Sequence, residues 1–287
     1  MAAKTWSIGE AYSYCAKIAQ THYENFPVGS AIIPKHLRKH FYSIYAFARG
    51  ADDFADEGEM SAEQRIELLE SWRAKLQQAV DGNATHPVFI ALSETIRLHQ
   101  LPEQLFHDLI DAFLLDVRKS RHETFDDLLD YSRRSANPVG RLILLLFGYK
   151  DERLHLQSDA ICTALQLTNF WQDVLIDLEG KDRLYIPLAE MQHYGYSEAQ
   201  LRQHIYCKNY IALMDSLAER TYQLFKQGRP LYSLVQGRLK WELKLVWHGG
   251  VTILELLRRN RYNIFINRPK LGFKEKLSLL TKLALAS

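Results

Sequence analysis

Apolar positions along the 287-residue chain recur at three- and four-residue spacing, and no stretch keeps the two-residue alternation of a strand. The pattern predicts helices throughout. Ser7 to Glu10 reads as a capping box opening a first helix that stops near Asn25-Phe26-Pro27. A second helix starts at Pro34, runs through an apolar stretch into an acidic cluster, and ends at Gly58. Ser61 to Gln64 is another capping box, before a helix reaching about Val80, and the polar run 81–86 is a loop. Further helices start near Pro87, near Pro102 and at Thr124 to Asp127.

Asn137-Pro138 removes a backbone donor and must bend or break the helix it interrupts, so Asn137 marks either a ligand-lining irregularity or a plain helix boundary. Residues 165–178 are apolar almost all round, and a loop follows at 179–184. Ser197 to Gln200 is a cap, a long helix runs from about Asn209 to Gly228-Arg-Pro230, and a final one runs from Leu231 to about Ile266. Gly249-Gly250 weakens or curves that last helix and admits a close neighbour or an apolar ligand. The tail, 271–287, sets Lys274, Lys276 and Lys282 against Phe273, Leu277, Leu280 and Ala284 at helical spacing, and either lies on a membrane surface or packs on the bundle. With neither a linker nor a repeat of 20 to 50 residues, the expectation is an all-α fold: a single-domain helical bundle around a central cavity, spanning residues 1–287.

Composition alters this picture little. A net charge of +2 is too small for nucleic-acid binding, and 47% hydrophobic residues suffice for a sizeable core. Cys15, Cys162 and Cys207 form no CxxC pair, so neither a disulfide framework nor a zinc site is indicated and a reducing cytoplasm fits. No signal peptide is evident at the N-terminus, and the longest uncharged runs fall short of the roughly 20 residues of a spanning helix. Contact with a membrane, if made, is peripheral, at the inner face.

The candidate chemistry lies in two acidic rows. Asn169, Asp173 and Asp177 stand four residues apart, which on a helix places them on one face, drifting about 40° per step. Carboxylates in so apolar a helix are costly unless a cation answers them. Asp52, Asp53, Asp56, Glu57 and Glu59 repeat the spacing; alone they would read as a solvated face, but beside the first row they suggest two helices presenting carboxylates to a shared site. Such oxygen donors suit Mg2+, and no histidine falls in zinc-like spacing near them. An anionic site takes an anionic ligand only through metal and cationic donors; Arg49, one turn before Asp53, is the first candidate, and Lys181 and Arg183 are either a flap over that ligand or solvated loop charges. Phe26, Tyr45, Phe47, Phe170, Trp171 and Tyr262 are candidates to face a bound cation, though singly each is more often core than cavity lining. Asp108 is assigned to solvent and Asp111 to either cavity or solvent.

SIYAFARGADDFAD at 43–56, LQLTNFWQDVLID at 165–177 and RLYIP at 183–187 resemble, in order, motifs of the squalene and phytoene synthase family, and the likeness runs from about Tyr14 to about Pro269. The resemblance implies an isoprenoid-synthase-type fold whose two aspartate-rich helices hold magnesium and a prenyl diphosphate. It assigns Asp52, Asp53, Asp56, Asn169, Asp173 and Asp177 to metal, and Arg49, Gln166 and Tyr185 to the diphosphate site, with Tyr45 and Tyr262 aligned beside them. The chain departs from the common pattern at Gln172, where many members have arginine; at Arg133 with Asn137-Pro138; and in HYENFP, 22–27, which lacks the usual serines. Those departures are similar to the bacterial hydroxysqualene synthase branch, whose members ionise presqualene diphosphate and quench the cation with water. On that reading Gln172 holds the water, Arg133 grips the departing diphosphate, no nicotinamide is needed, and the partners are enzymes of hopanoid synthesis. Two alternatives stand beside it: a head-to-head prenyltransferase making presqualene diphosphate, squalene or phytoene, and a helical scaffold without activity.

Overall fold

The computed structural model describes residues 5–21 and 33–272. Among them every regular element is a helix, apart from one isolated bridge between Arg121 and Leu184. Phe26, the HYENFP stretch and all of the tail beyond Gly272 lie outside the described residues. The chain gathers into two compact units: one holds the residues up to Arg118 and Pro138–Asp151, the other Lys119–Asn137 and the residues from Glu152 onward.

The first unit contains α1 (Ile8–Thr21), α2 (Lys35–Asp56), α3 (Ala62–Val80), α4 (Pro87–His99) and α5 (Gln104–Arg118). Local signals set their ends. The Ser61 hydroxyl accepts from the Gln64 N–H while the Gln64 side chain accepts from the Ser61 N–H, the reciprocal pairing that opens α3. Pro34 flanks α2 rather than occupying its first turn, and Gly58, at φ 75°, lies just past its end. Around α2 the core is aromatic. Phe47 is fully buried, meets Phe106 edge-on at 5.4 Å, and its carbonyl accepts from the Trp72 indole N–H at 3.2 Å.

The second unit contains α6 (Phe125–Ser135), α8 (Glu152–Lys181), the short α9 (Leu188–His193) and α10 (Glu198–Arg202), α11 (Lys208–Gly228), α12 (Leu231–Leu234) and α13 (Gly237–Arg259). α7 (Asn137–Leu146) belongs from Pro138 onward to the first unit, and the break at Ala136 that separates it from α6 is the one Pro138 requires. α8 packs on α11, with the Trp171 indole donating to Thr221 at 2.8 Å. α13 approaches both so closely that a Cβ on Gly250 would fall 2.4 Å from the Phe225 ring and 2.8 Å from Leu165. The expected close neighbour is therefore present and is protein. Residues 120–123 run beside 184–189, with Leu184 N–H donating to Ser120 O at 2.9 Å and Leu188 N–H to His122 O at 3.0 Å.

Two sequence expectations need correction. The final helix is not continuous from Leu231 to Ile266: Val235 is extended, Gly237 has φ 62°, and Arg261 and Tyr262 adopt left-handed backbone that ends the helix at Arg259. The loop expected at 179–184 begins later, because α8 continues to Lys181. No helix among the described residues is long and apolar enough to cross a membrane.

Candidate active site

In the first unit, α2 turns one stripe of side chains toward a cavity of about 220 Å³: Phe41, Ile44, Tyr45, Ala48, Arg49 and Asp52. Their spacing of three and four residues is one helical face. Leu109 and Phe113 of α5 and four aliphatic residues of α7 complete walls that are apolar except at the Arg49–Asp52 end. Arg49 lies among the carboxylates that follow it, 3.1 Å from Asp52 and 2.6 Å from Asp53, with Glu57 as a third partner. Burial opposes its charge, but the Asp53, Asp52 and Glu57 carboxylates outweigh that and hold its pKa above the ordinary arginine value. Burial also raises the Tyr45 phenol pKa. Asp56, one turn beyond Asp52, is half-buried.

In the second unit, α8 carries the other row. Asn169 is exposed, Asp177 is half-buried, and Asp173 has only 13% of its side chain exposed. The Arg268 guanidinium answers Asp173 two-pronged, Nη2 to Oδ2 at 2.9 Å and Nε to Oδ1. The Gln172 amide donates to the neighbouring Pro269 carbonyl, which leaves its own oxygen as the acceptor. Asp177 ends the row with its carbonyl accepting from the Arg183 N–H at 3.0 Å.

Behind that row is an aromatic stack. Tyr185 lies flat on Phe170, centroids 3.7 Å apart and 8° from parallel, and its other neighbours are His122 at 5.5 Å and Tyr131 at 5.8 Å. His122 is buried, its Nδ1 has no hydrogen-bond partner among the described residues, and burial lowers its pKa to about 4, so the ring is neutral. Tyr131, His122 and Arg268 were not singled out in the sequence. The first two lie in no acidic or apolar row, though Tyr131 is two residues before Arg133; Arg268 is 95 residues from Asp173 in the chain.

The other candidates have surroundings of their own. Arg133 is exposed and pairs with Asp130 at 2.8 Å. Asn137 is buried and accepts from Thr163 Oγ1 of α8 at 2.9 Å. Tyr262 is 2% exposed and donates to Asp215 at 2.6 Å. Gln166 is half-buried, Arg183 likewise, and Lys181 is exposed in the last turn of α8. Of the aromatic candidates, Phe47 and Trp171 are core residues. Asp111 pairs with Arg73 at 2.6 Å, and Asp108 accepts from Gln104.

No three His, Cys, Asp or Glu side chains among the described residues gather tightly enough to hold a metal ion. Each row instead has a guanidinium on its carboxylates. The donors are nonetheless all hard oxygens on single helix faces, and the negative charge that attracts Arg49 and Arg268 is the kind a divalent cation can take over, so the residues fit magnesium.

The sequence profile of squalene/phytoene synthases matches residues 19–275. The chain belongs to the squalene/phytoene synthase family. A hydroxysqualene synthase of Zymomonas mobilis is 33% identical over 241 residues, 83% of this chain and 80% of that protein. A 15-cis-phytoene synthase of Synechocystis is 27% identical over 96% of this chain and 84% of its own length. Among solved structures, the squalene synthase HpnC from Alicyclobacillus acidocaldarius superposes with a TM-score of 0.84 at 41% identity, covering 89% of this chain and 96% of that one. The fold is thus the all-α isoprenoid-synthase fold of the squalene/phytoene synthases.

Proposed function

We propose that this squalene/phytoene synthase family member is a hydroxysqualene synthase, converting presqualene diphosphate and water to hydroxysqualene and diphosphate. Its family consists of synthases that process prenyl diphosphates, which makes the chain an enzyme. The observation that carries the reading is the α2 cavity, apolar along its walls and ending at Arg49 and Asp52: it suits a hydrocarbon chain with a phosphate at one end. The likeness to the Zymomonas mobilis enzyme narrows the reaction.

In the proposed reaction the carbon–oxygen bond breaks and its electron pair leaves with diphosphate. The cyclopropylcarbinyl cation rearranges, a water oxygen forms the new carbon–oxygen bond, and that water's proton passes to diphosphate or solvent. Magnesium, held by Asp52, Asp53, Asp56, Asn169, Asp173 and Asp177, would supply charge to the leaving group. Arg49 and Arg183 would add donors to phosphate oxygens, with Gln166 and Lys181 beside them. The Gln172 oxygen, its amide already committed to Pro269, would orient the attacking water. The faces of Tyr45, Phe170 and Tyr185 would stabilise positive carbon, and the apolar cavity wall would exclude other water. Arg133, which the structure pairs with Asp130, would have to leave that partner to reach phosphate. The product would feed hopanoid or related triterpene synthesis.

Incubation with presqualene diphosphate in ¹⁸O-labelled water tests this. Labelled hydroxysqualene is expected, and Gln172→Leu should shift products toward alkenes formed by proton loss. Conversion of farnesyl diphosphate alone to a presqualene or phytoene-type product would replace the reading with the prenyltransferase one that the Synechocystis relative's name suggests.

A further inference from the structure

Large apolar side chains stand exposed at one place in the second unit where two loops meet. Phe265 packs its ring on His204, Tyr206 and Tyr210, with centroids 5.4, 6.3 and 5.1 Å away. The Tyr206 hydroxyl donates to the Arg261 carbonyl at 3.0 Å, fastening loop 203–207 to turn 260–267. At the edge of this joint Ile266 is 84% exposed, Ile205 40% and Tyr206 38%. Nothing in the internal packing calls for Ile266 to be apolar.

The joint sits at the end of α8 that carries the acidic row. His204 pairs with Glu179, two residues beyond Asp177, and Arg268, two residues beyond Ile266, is the group on Asp173. Ile176, 56% exposed, lies one turn before Glu179 on the same helix face. Two basic side chains flank these residues. Arg261 and Lys208 are exposed and have no carboxylate partner among the described residues, while the carboxylates close by are engaged: Glu179 by His204, and Asp215 by Tyr262 and Arg258.

We infer that Ile266, Ile205 and Tyr206, flanked by Arg261 and Lys208, form a docking surface for an anionic lipid bilayer, which brings the end of α8 bearing Asp173 to the membrane. The inference rests on the proposed function in one respect: a substrate and product with long hydrocarbon chains partition into lipid. A bilayer fits these residues better than a protein partner because isoleucine and tyrosine side chains can enter the interface while basic side chains reach headgroup phosphates, and the site the substrate must reach lies alongside. None of these residues belongs to the tail beyond Gly272.

Vesicle sedimentation of the full chain tests it, with phosphatidylcholine vesicles and with phosphatidylcholine–phosphatidylglycerol vesicles. Ile205→Asp with Ile266→Asp should lower binding to the anionic vesicles about tenfold, as should Lys208→Glu with Arg261→Glu, because insertion and charge attraction each supply part of the binding. Helicity and turnover of detergent-dispersed presqualene diphosphate should be unchanged, and Leu234→Asp with Trp241→Asp, on a different exposed face, should bind as wild type. Undiminished binding in both patch variants, equal binding of wild type to neutral and anionic vesicles, or loss of a dimer in place of lipid binding would each overturn the inference. Since sedimentation requires no turnover, its failure is separate from failure of the labelled-water experiment.

Discussion

Asp173 sets charge against burial, with 13% of its side chain exposed in an apolar helix and the Arg268 guanidinium, among the described residues, to compensate it. A carboxylate so placed is suited to exchange a guanidinium for a divalent cation. Asp173→Asn is therefore expected to lower turnover about 100-fold or more while preserving the circular dichroism spectrum, since it removes charge but little volume. Calorimetric magnesium titration in the presence of diphosphate should weaken in parallel. Histidines set a different property. His40 is buried against Tyr12 and Thr95 with His99 only 4.4 Å away, and burial, then the His99 and Lys39 charges, lower its pKa from 6.5 to about 4. His122 is lowered to about 4 chiefly by burial. Both are neutral when folded, so the unfolded chain takes up their protons first as pH falls. Stability should be full above about pH 6.5 and decline toward pH 4, an acid loss that urea titrations at pH 7 and pH 5 would reveal and that His40→Gln should reduce.

At the scale of elements, α8 and α11 depend on close approach at Gly228. A Cβ there would lie 2.7 Å from the Gln157 carbonyl oxygen and 2.4 Å from Ile161 Cγ1. Backbone oxygen in a helix cannot move aside as a flexible side chain can. In an open helix Gly→Ala gains about 1 kcal/mol from propensity; here overpacking of roughly 1–3 kcal/mol opposes it. Gly228→Ala should thus be destabilising, seen as a lower urea midpoint at unchanged slope. An increase in the midpoint would show that the two helices separate at little cost.

For the whole molecule, a net charge of +2 conceals two local concentrations of carboxylate, each partly neutralised by one arginine. Ligands that bind only the folded chain add stability by mass action, about 2.7 kcal/mol at a hundred times the dissociation constant. Magnesium with inorganic diphosphate should raise the thermal midpoint, diphosphate alone should do so far less, and a chelator should reverse both the shift and the activity. A midpoint that rises equally without metal would assign diphosphate binding to the arginines alone.

The helices, most of their ends and the two acidic rows were legible in the sequence because each depends on residues within a few positions of one another: capping boxes at Ser61 and Thr124, the missing donor at Pro138, carboxylates four apart on α2 and α8. The family motifs are local in the same sense. The break at Val235 to Gly237 went unread because the helical spacing of apolar residues continues across it. Only tertiary structure decided that Arg268 meets Asp173, that Tyr131 and His122 join Tyr185 and Phe170, that Arg133 turns to Asp130, and that Trp171 is core. Whether a side chain reaches a partner depends on the angle and register at which helices pack, summed over many weak contacts along the chain. Spacing within a helix fixes the face a residue occupies, and packing fixes what that face meets.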